Sequence, residues 1–167
     1  MPTMAAVSEE EYLRTSFPGV DREYRDGEIL ERSMPTYNHG TSQGFLFSFF
    51  VPHRKTHRVF PTVETRLHLR PGRFIIPDVC VFWPDEPASD IPGFRPLIVV
   101  EIMSPDDRLS EVRDKLREYF DWGVAHIWLI DPGSRVLYVF RHDGLHEVAS
   151  YQIREVALEV TPSDIFG

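Results

Sequence analysis

Two apolar runs, each interrupted by one carboxylate, constrain this chain more than any other feature. Ile75-Ile76-Pro77-Asp78-Val79-Cys80-Val81-Phe82 and Leu97-Ile98-Val99-Val100-Glu101-Ile102-Met103 are apolar on both faces of an extended chain, as strands in the middle of a sheet are. An ionised carboxylate in such a run is costly unless it is paired, hydrogen-bonded or bound to a cation. The fold must therefore supply partners for Asp78 and Glu101. If the two strands are neighbours, a hard divalent ion between the acids meets the demand, and oxygen ligands suit magnesium or manganese. Alternation then puts Ile76, Asp78 and Cys80 on one face, and Leu97, Val99, Glu101 and Met103 on one face. The other solution is that each acid lies near a strand end and faces solvent or an arginine.

A helix is predicted from just after Ser104-Pro105-Asp106-Asp107 to about Asp121, with Leu109, Val112, Leu116, Tyr119 and Phe120 on one face and Gly123 as its cap. It carries Lys115, one of only two lysines, with Lys55, among 18 basic residues. Lys115 borders the apolar face, one turn from Val112 and Tyr119. Its stem can run along the core and carry a compact charge to the sheet. The alternative is an exposed lysine paired with Glu111 or Glu118.

The remaining sequence reads as one domain of 167 residues, mixed in α and β, with 42% hydrophobic residues to build a core. Ser8 and Glu11 form a capping box for a helix to about Thr15. Asp26-Gly27 joins two short runs, Asp21 to Arg25 and Glu28 to Ser33, as an edge hairpin. Asn38 to Val51 reads as a helix stopped by Pro52. Strands are predicted at Arg58 to Leu69 and Phe74 to Trp83, then a proline-rich loop from Pro84 to Pro96, then Leu97 to Met103. After the Lys115 helix come His126 to Ile130, Val136 to Arg141, Leu145 to Tyr151 and Val156 to Val160.

Net charge is −8, which argues against binding nucleic acid by bulk phosphate neutralisation. The local balance differs: Arg54, Lys55, Arg58, Arg66, Arg70 and Arg73 stand against the single acid Glu64. That stretch is either a solvated strand face or, through Arg66, Arg70 and Arg73, the rim that holds a polyanionic substrate. The lone Cys80 excludes an internal disulfide, Met1 to Val7 lacks a signal-peptide pattern, and no apolar run approaches the roughly 20 residues of a membrane span. A soluble, cytoplasmic protein is expected. There is no G-x-S-x-G, P-loop, G-x-G-x-x-G or H-E-x-x-H, so serine-nucleophile, nucleotide-cofactor and zinc-protease chemistry have no local signature.

Pro77-Asp78, Val100-Glu101-Ile102-Met103-Ser104-Pro105-Asp106-Asp107-Arg108, Asp114-Lys115-Leu116-Arg117-Glu118-Tyr119, Gly123-Val124 and Trp128-Leu129-Ile130-Asp131-Pro132 resemble the Uma2 family. The resemblance extends upstream through Glu23-Tyr24-Arg25-Asp26-Gly27-Glu28 and Pro35 to His39. It implies a PD-(D/E)XK restriction-endonuclease-like core: an α+β (α/β) domain over residues 1–167 with a mixed central β-sheet flanked by helices. It also implies magnesium-dependent hydrolysis of DNA phosphodiesters, with manganese able to substitute. Asp78 and Glu101 match the metal-binding acids, joined by the Ile102 carbonyl. Lys115 matches a lysine displaced onto the following helix, and Met103 stands where the superfamily's usual lysine would be. Glu23 is a further candidate carboxylate, or a surface acid on the hairpin. His39 is a candidate phosphate contact, or a structural donor. A homodimer is expected, with Trp83 as an exposed interface aromatic. The competing reading is a catalytically silent module of the same fold that binds or oligomerises. A nuclease should gather the arginines of residues 54 to 73 on the rim of the Asp78/Glu101 cleft; a binding module need not.

Overall fold

The computed structural model describes residues 6–167, so the reading of Met1 to Ala5 lies outside the described residues. In chain order the elements are α1 (Glu9–Arg14), β1 (Glu23–Arg25), β2 (Glu28–Leu30), α2 (Tyr37–Phe50), α3 (Arg54–His57), β3 (Phe60–Val63), β4 (Leu67–Arg70), β5 (Arg73–Ile75), β6 (Val79–Phe82), β7 (Ile98–Ile102), α4 (Leu109–Trp122), β8 (His126–Asp131), β9 (Val136–Arg141), β10 (Gly144–Val148), β11 (Tyr151–Ile153), β12 (Leu158–Val160) and α5 (Pro162–Phe166). The central sheet has six strands in the order β10-β9-β8-β7-β6-β3. It is antiparallel except for β7 and β8, which run parallel because α4 crosses between them. A four-stranded antiparallel sheet, β2-β1-β5-β4, lies beside it, and β11 and β12 form a hairpin. This is the expected mixed central sheet flanked by helices.

Both faces of the central sheet are covered. On one, Val79, Val81, Ile98, Val100 and Ile102 pack with Leu46 and Phe50 of α2, Ile165 of α5 and Tyr151 of β11. On the other, Cys80, Val99 and Leu129 pack with Leu116 and Tyr119 of α4 and with Leu67 and Ile75 of the smaller sheet. The two-sided apolar reading of β6 and β7 follows from this burial, and β6 pairs directly with β7 in the register Val79↔Val100 and Cys80↔Val99.

Several boundaries differ from the sequence reading, each for a local reason. Phe74 to Trp83 is two strands: β5 belongs to the small sheet and β6 to the large one, and the chain passes between them at Ile76-Pro77-Asp78. Pro77 has no N–H to give a ladder, so a continuous strand is impossible there. Arg58 to Leu69 likewise splits: Arg58, at positive φ, caps α3, and Glu64, also at positive φ, ends β3 before β4 begins. Pro52 does not end the helical path: it enters a 3-10 turn, Val51–His53, where its missing donor is not needed, and α3 follows. Leu145 to Tyr151 is divided between β10 and β11. The Asp26-Gly27 turn forms as expected, with φ of 48° and 97°. Only β2 lies on an edge, however, because β1 pairs with β5 and is interior. Trp83, expected to be exposed, is half-buried against the core. Ser8 and Glu11 make the predicted capping box, and Gly123 caps α4 with φ of 91°.

Candidate active site

The switch between sheets creates the site. Ile76 and Asp78 leave one ladder before joining the next, so their backbone groups need other partners. The Ile76 N–H donates to Glu23 Oε1 at 2.9 Å, and Lys115 Nζ donates to the Ile76 carbonyl at 2.9 Å. Gln43 Nε2 donates to the Asp78 carbonyl at 2.8 Å. The side chains that repair the break thereby converge on it. Lys115 Nζ lies 2.7 Å from Glu23 Oε1 and 2.9 Å from Glu101 Oε1. Glu101 Oε1 also accepts from the Tyr119 hydroxyl at 2.7 Å. Asp78 extends from the adjacent strand: its Oδ2 accepts the Ile102 N–H at 2.6 Å, a donor free because β6 has begun pairing only at Val79. Asp78 Oδ1 faces His39 Nε2 and Arg32 Nη2, each at 3.3 Å.

Glu23, Asp78, Glu101 and Lys115 thus meet in one cleft, with His39 and Ile102 in its wall. The cleft holds about 430 Å³, the size of a small-ligand pocket. Glu23 is buried in the interior strand β1, so it is not a surface acid of an edge hairpin. Lys115 reaches the sheet and does not pair with Glu111 or Glu118.

Of the two readings of the arginine stretch, the surface face holds for all but Arg73. Arg66 pairs with Asp21 at 3.3 Å and lies over the Tyr12 ring; Arg70 pairs with Asp26 at 2.9 Å. Neither lines the cleft. Arg54 and Arg58 pair with Glu86 and Asp85. Arg73 does border the cleft, but it is 1% exposed and fully engaged by Glu23 and Glu118. It holds the site together and has no free donor edge for a substrate phosphate. The residues that sequence reasoning missed are Arg32, Glu64, Gln43 and Glu118. Arg32, Glu64 and Gln43 come from segments whose packing the sequence does not disclose, whereas Glu118 lies on the predicted Lys115 helix, where the sequence offers it only as a partner of Lys115, not of Arg73. Tyr119 was assigned only an apolar role, yet its spacing of one turn from Lys115 places its hydroxyl on the same carboxylate.

Electrostatics divides the two central acids. Burial pushes Glu101 up to about 8; Lys115 opposes this, and the neighbouring Asp78 and Glu23 add to it. Asp78 stays below the ordinary carboxylate range: burial works against ionisation, but the His39 hydrogen bond and charge, Lys115 and the Ile102 N–H outweigh it. Glu23 is also held low, since Lys115 and Arg73 overcome its burial. Burial would depress Lys115 and His39, but Glu101 and Glu23 raise the first and Asp78 raises the second. One ionised and one proton-retaining carboxylate side by side mark a cleft short of positive charge.

Among the described residues, no group of three or more His, Cys, Asp or Glu side chains could hold a metal by itself. Magnesium does not require such a cage: it uses one or two carboxylates and completes its shell with water and substrate phosphate. Asp78 and Glu101 fit that donor set in chemistry: two carboxylates from neighbouring segments that open on one cleft. No helix among the described residues is long and apolar enough to cross a membrane.

The fold has a counterpart. A crystal structure described as "a putative nuclease belonging to DUF820", from Anabaena variabilis, matches with a TM-score of 0.80 and 23% identity, covering 98% of each chain. No curated protein matches. The Uma2 model, described as "Putative restriction endonuclease", matches residues 9–166, and the chain belongs to the Uma2 family.

Proposed function

We propose that this chain is a metal-dependent nuclease that hydrolyses phosphodiester bonds of DNA, with its chemistry carried by Asp78, Glu101, Lys115 and Glu23. The observation that carries the reading is the ammonium of Lys115 within 2.9 Å of Glu101, in a cleft where Asp78 is ionised. Asp78, Glu101 and the Ile102 carbonyl would hold magnesium, or manganese in its place. Such an ion, when bound, neutralises phosphate charge and acidifies water. Lys115 keeps its proton, and its three donors face Glu23, Glu101 and the Ile76 carbonyl, so it serves as a fixed positive charge beside the acids and takes on a nucleophile or the scissile phosphate only by exchanging one of these partners. Glu23 acts on the reaction by holding Lys115. His39 fixes Asp78 Oδ1 from the opposite side.

A second reading, a silent member of the fold that only binds, draws on the charge of the cleft. Its lining carries eight carboxylates against five basic side chains, and four of the five arginines in the basic stretch sit elsewhere. The two readings separate in a cleavage assay on single- and double-stranded DNA with magnesium or manganese. The nuclease reading expects cutting that falls at least about 100-fold in Asp78→Asn and Lys115→Ala. Equal cutting by wild type and both variants, or none by any under either metal, refutes it.

A further inference from the structure

Arg32 was not among the residues the sequence put forward, and the cleft is built around it. Its guanidinium is 11% exposed and spans two acids: Nη1 lies 2.6 Å from Glu64 Oε2, and Nη2 lies 3.3 Å from Asp78 Oδ1. Glu64 is in turn held by Gln43 Nε2 at 2.8 Å, so the outer end of Arg32 has a firm anchor and the inner end a long contact. Asp78 has only two oxygens. Oδ2 is committed to the Ile102 N–H at 2.6 Å. Oδ1 makes only 3.3 Å contacts, to Arg32 Nη2 and His39 Nε2, so it is the oxygen more readily released to a cation, and Arg32 is one of the two groups that stand over it.

We infer that Arg32 is a phosphate-binding residue that stands over Asp78 Oδ1 beside His39 and yields that oxygen to a divalent ion when a phosphate is present to receive its guanidinium. This rests on the nuclease reading and adds a coupling to it. Arg32 is planar and forked, so it can keep Nη1 on Glu64 while turning Nη2 from carboxylate to phosphate, a geometry a lysine cannot reproduce. Taking Nη2 off Asp78 costs Arg32 one of its two carboxylate partners in a half-buried place, so the move is unfavourable until another anion meets that nitrogen. Metal uptake and phosphate uptake then favour one another, and the coupling is reciprocal. The acidic lining works in the same direction, because it repels a phosphate until the ion is in place and concentrates the ion beforehand.

The test is manganese binding to the metal-stripped protein, followed by calorimetry and by the electron paramagnetic resonance of free Mn2+, with and without saturating thymidine 5′-monophosphate, which offers a phosphate and no bond to cut. Wild type should bind manganese at least about tenfold more tightly when the nucleotide is present. Arg32→Gln and Arg32→Met should bind it at least about tenfold more tightly than wild type without nucleotide, and should gain less than about twofold when it is added. Far-UV circular dichroism and melting confirm that each variant is folded, and the two side chains differ enough that one serves if the other does not fold. If wild type binds manganese, Asp78→Asn abolishes binding, and both Arg32 variants keep wild-type affinity and coupling, the role of Arg32 is overturned while the nuclease reading stands. If no protein binds manganese, or Asp78→Asn binds it as wild type does, both fall together.

Discussion

Glu101 gives a stability measurement that needs neither metal nor substrate. Its carboxyl titrates from 4.5 in an ordinary setting to about 8 in the folded protein, chiefly because it is buried. Between those values the unfolded chain has released the proton and the folded chain has kept it. Folded stability therefore falls as pH rises across the window. A gap of about 3.5 pH, at about 1.4 kcal/mol each, sets a ceiling of about 5 kcal/mol. Relaxation and water entry around the second charge reduce the expected loss to about 2–3 kcal/mol. His39, raised above its ordinary 6.5, adds a loss of the same sign in the upper part of the window, whereas Asp78 and Glu23 are held low and act only in acid. The assay is urea denaturation in chelator-containing buffer from about pH 5 to pH 9, on wild type and Glu101→Gln. Glutamine imitates the protonated acid, keeps an oxygen for Tyr119 and Lys115, and cannot ionise. The variant should match wild type within about 1 kcal/mol near pH 6 and exceed it by about 2 kcal/mol near pH 9. Parallel profiles for the two proteins would refute the reasoning, because they would mean that Glu101 ionises in the folded state as it does in water.

Glu23→Ala leaves Arg73 and Lys115 buried without their shared acid, and a loss of about 3–5 kcal/mol by thermal or urea melting is expected. Glu23→Gln should recover part of it by keeping the bond from the Ile76 N–H. Leu116→Ala opens a hole beneath α4, where Leu116 is fully buried, and should cost about 2–4 kcal/mol by the same melts. It leaves every charged group of the cleft in place, so a loss of cutting as large as that of Lys115→Ala would show that the position of the helix, not its ammonium, sets the activity.

The legible part of this protein was the part that a single run of sequence encodes. Alternation and double-sided apolarity identified β6 and β7 as central strands, and the need to compensate Asp78 and Glu101 called for a divalent ion or an arginine; the partners seen are Arg32 and His39 on Asp78 and Lys115 on Glu101. Helical spacing put Lys115 beside Tyr119 on the face that meets the sheet. The break at Pro77 was written in the chain too, yet the apolar run on either side of it read as one strand, because burial in two different sheets gives the same composition as burial in one. The rim arginines could not be placed from charge density. Arg66 and Arg70 follow Asp21 and Asp26, acids 45 and 44 positions away, and such pairings appear only when β1 docks beside β5. Arg32 carried no signal at all, since its meaning comes from Glu64 and Asp78, distant in sequence and close only in the folded chain.

The crossing at Ile76-Pro77-Asp78 makes the proposed reactive centre and the joint between the two sheets the same object. Glu23 and Lys115 occupy backbone positions that a third strand residue would otherwise fill, so they are rivets as much as reagents. An engineer who wishes to retune the chemistry here has little freedom to do so quietly: each exchange at the centre also loosens or tightens the seam. Conversely, any strain that shifts one sheet against the other is delivered first to the acids and the amine.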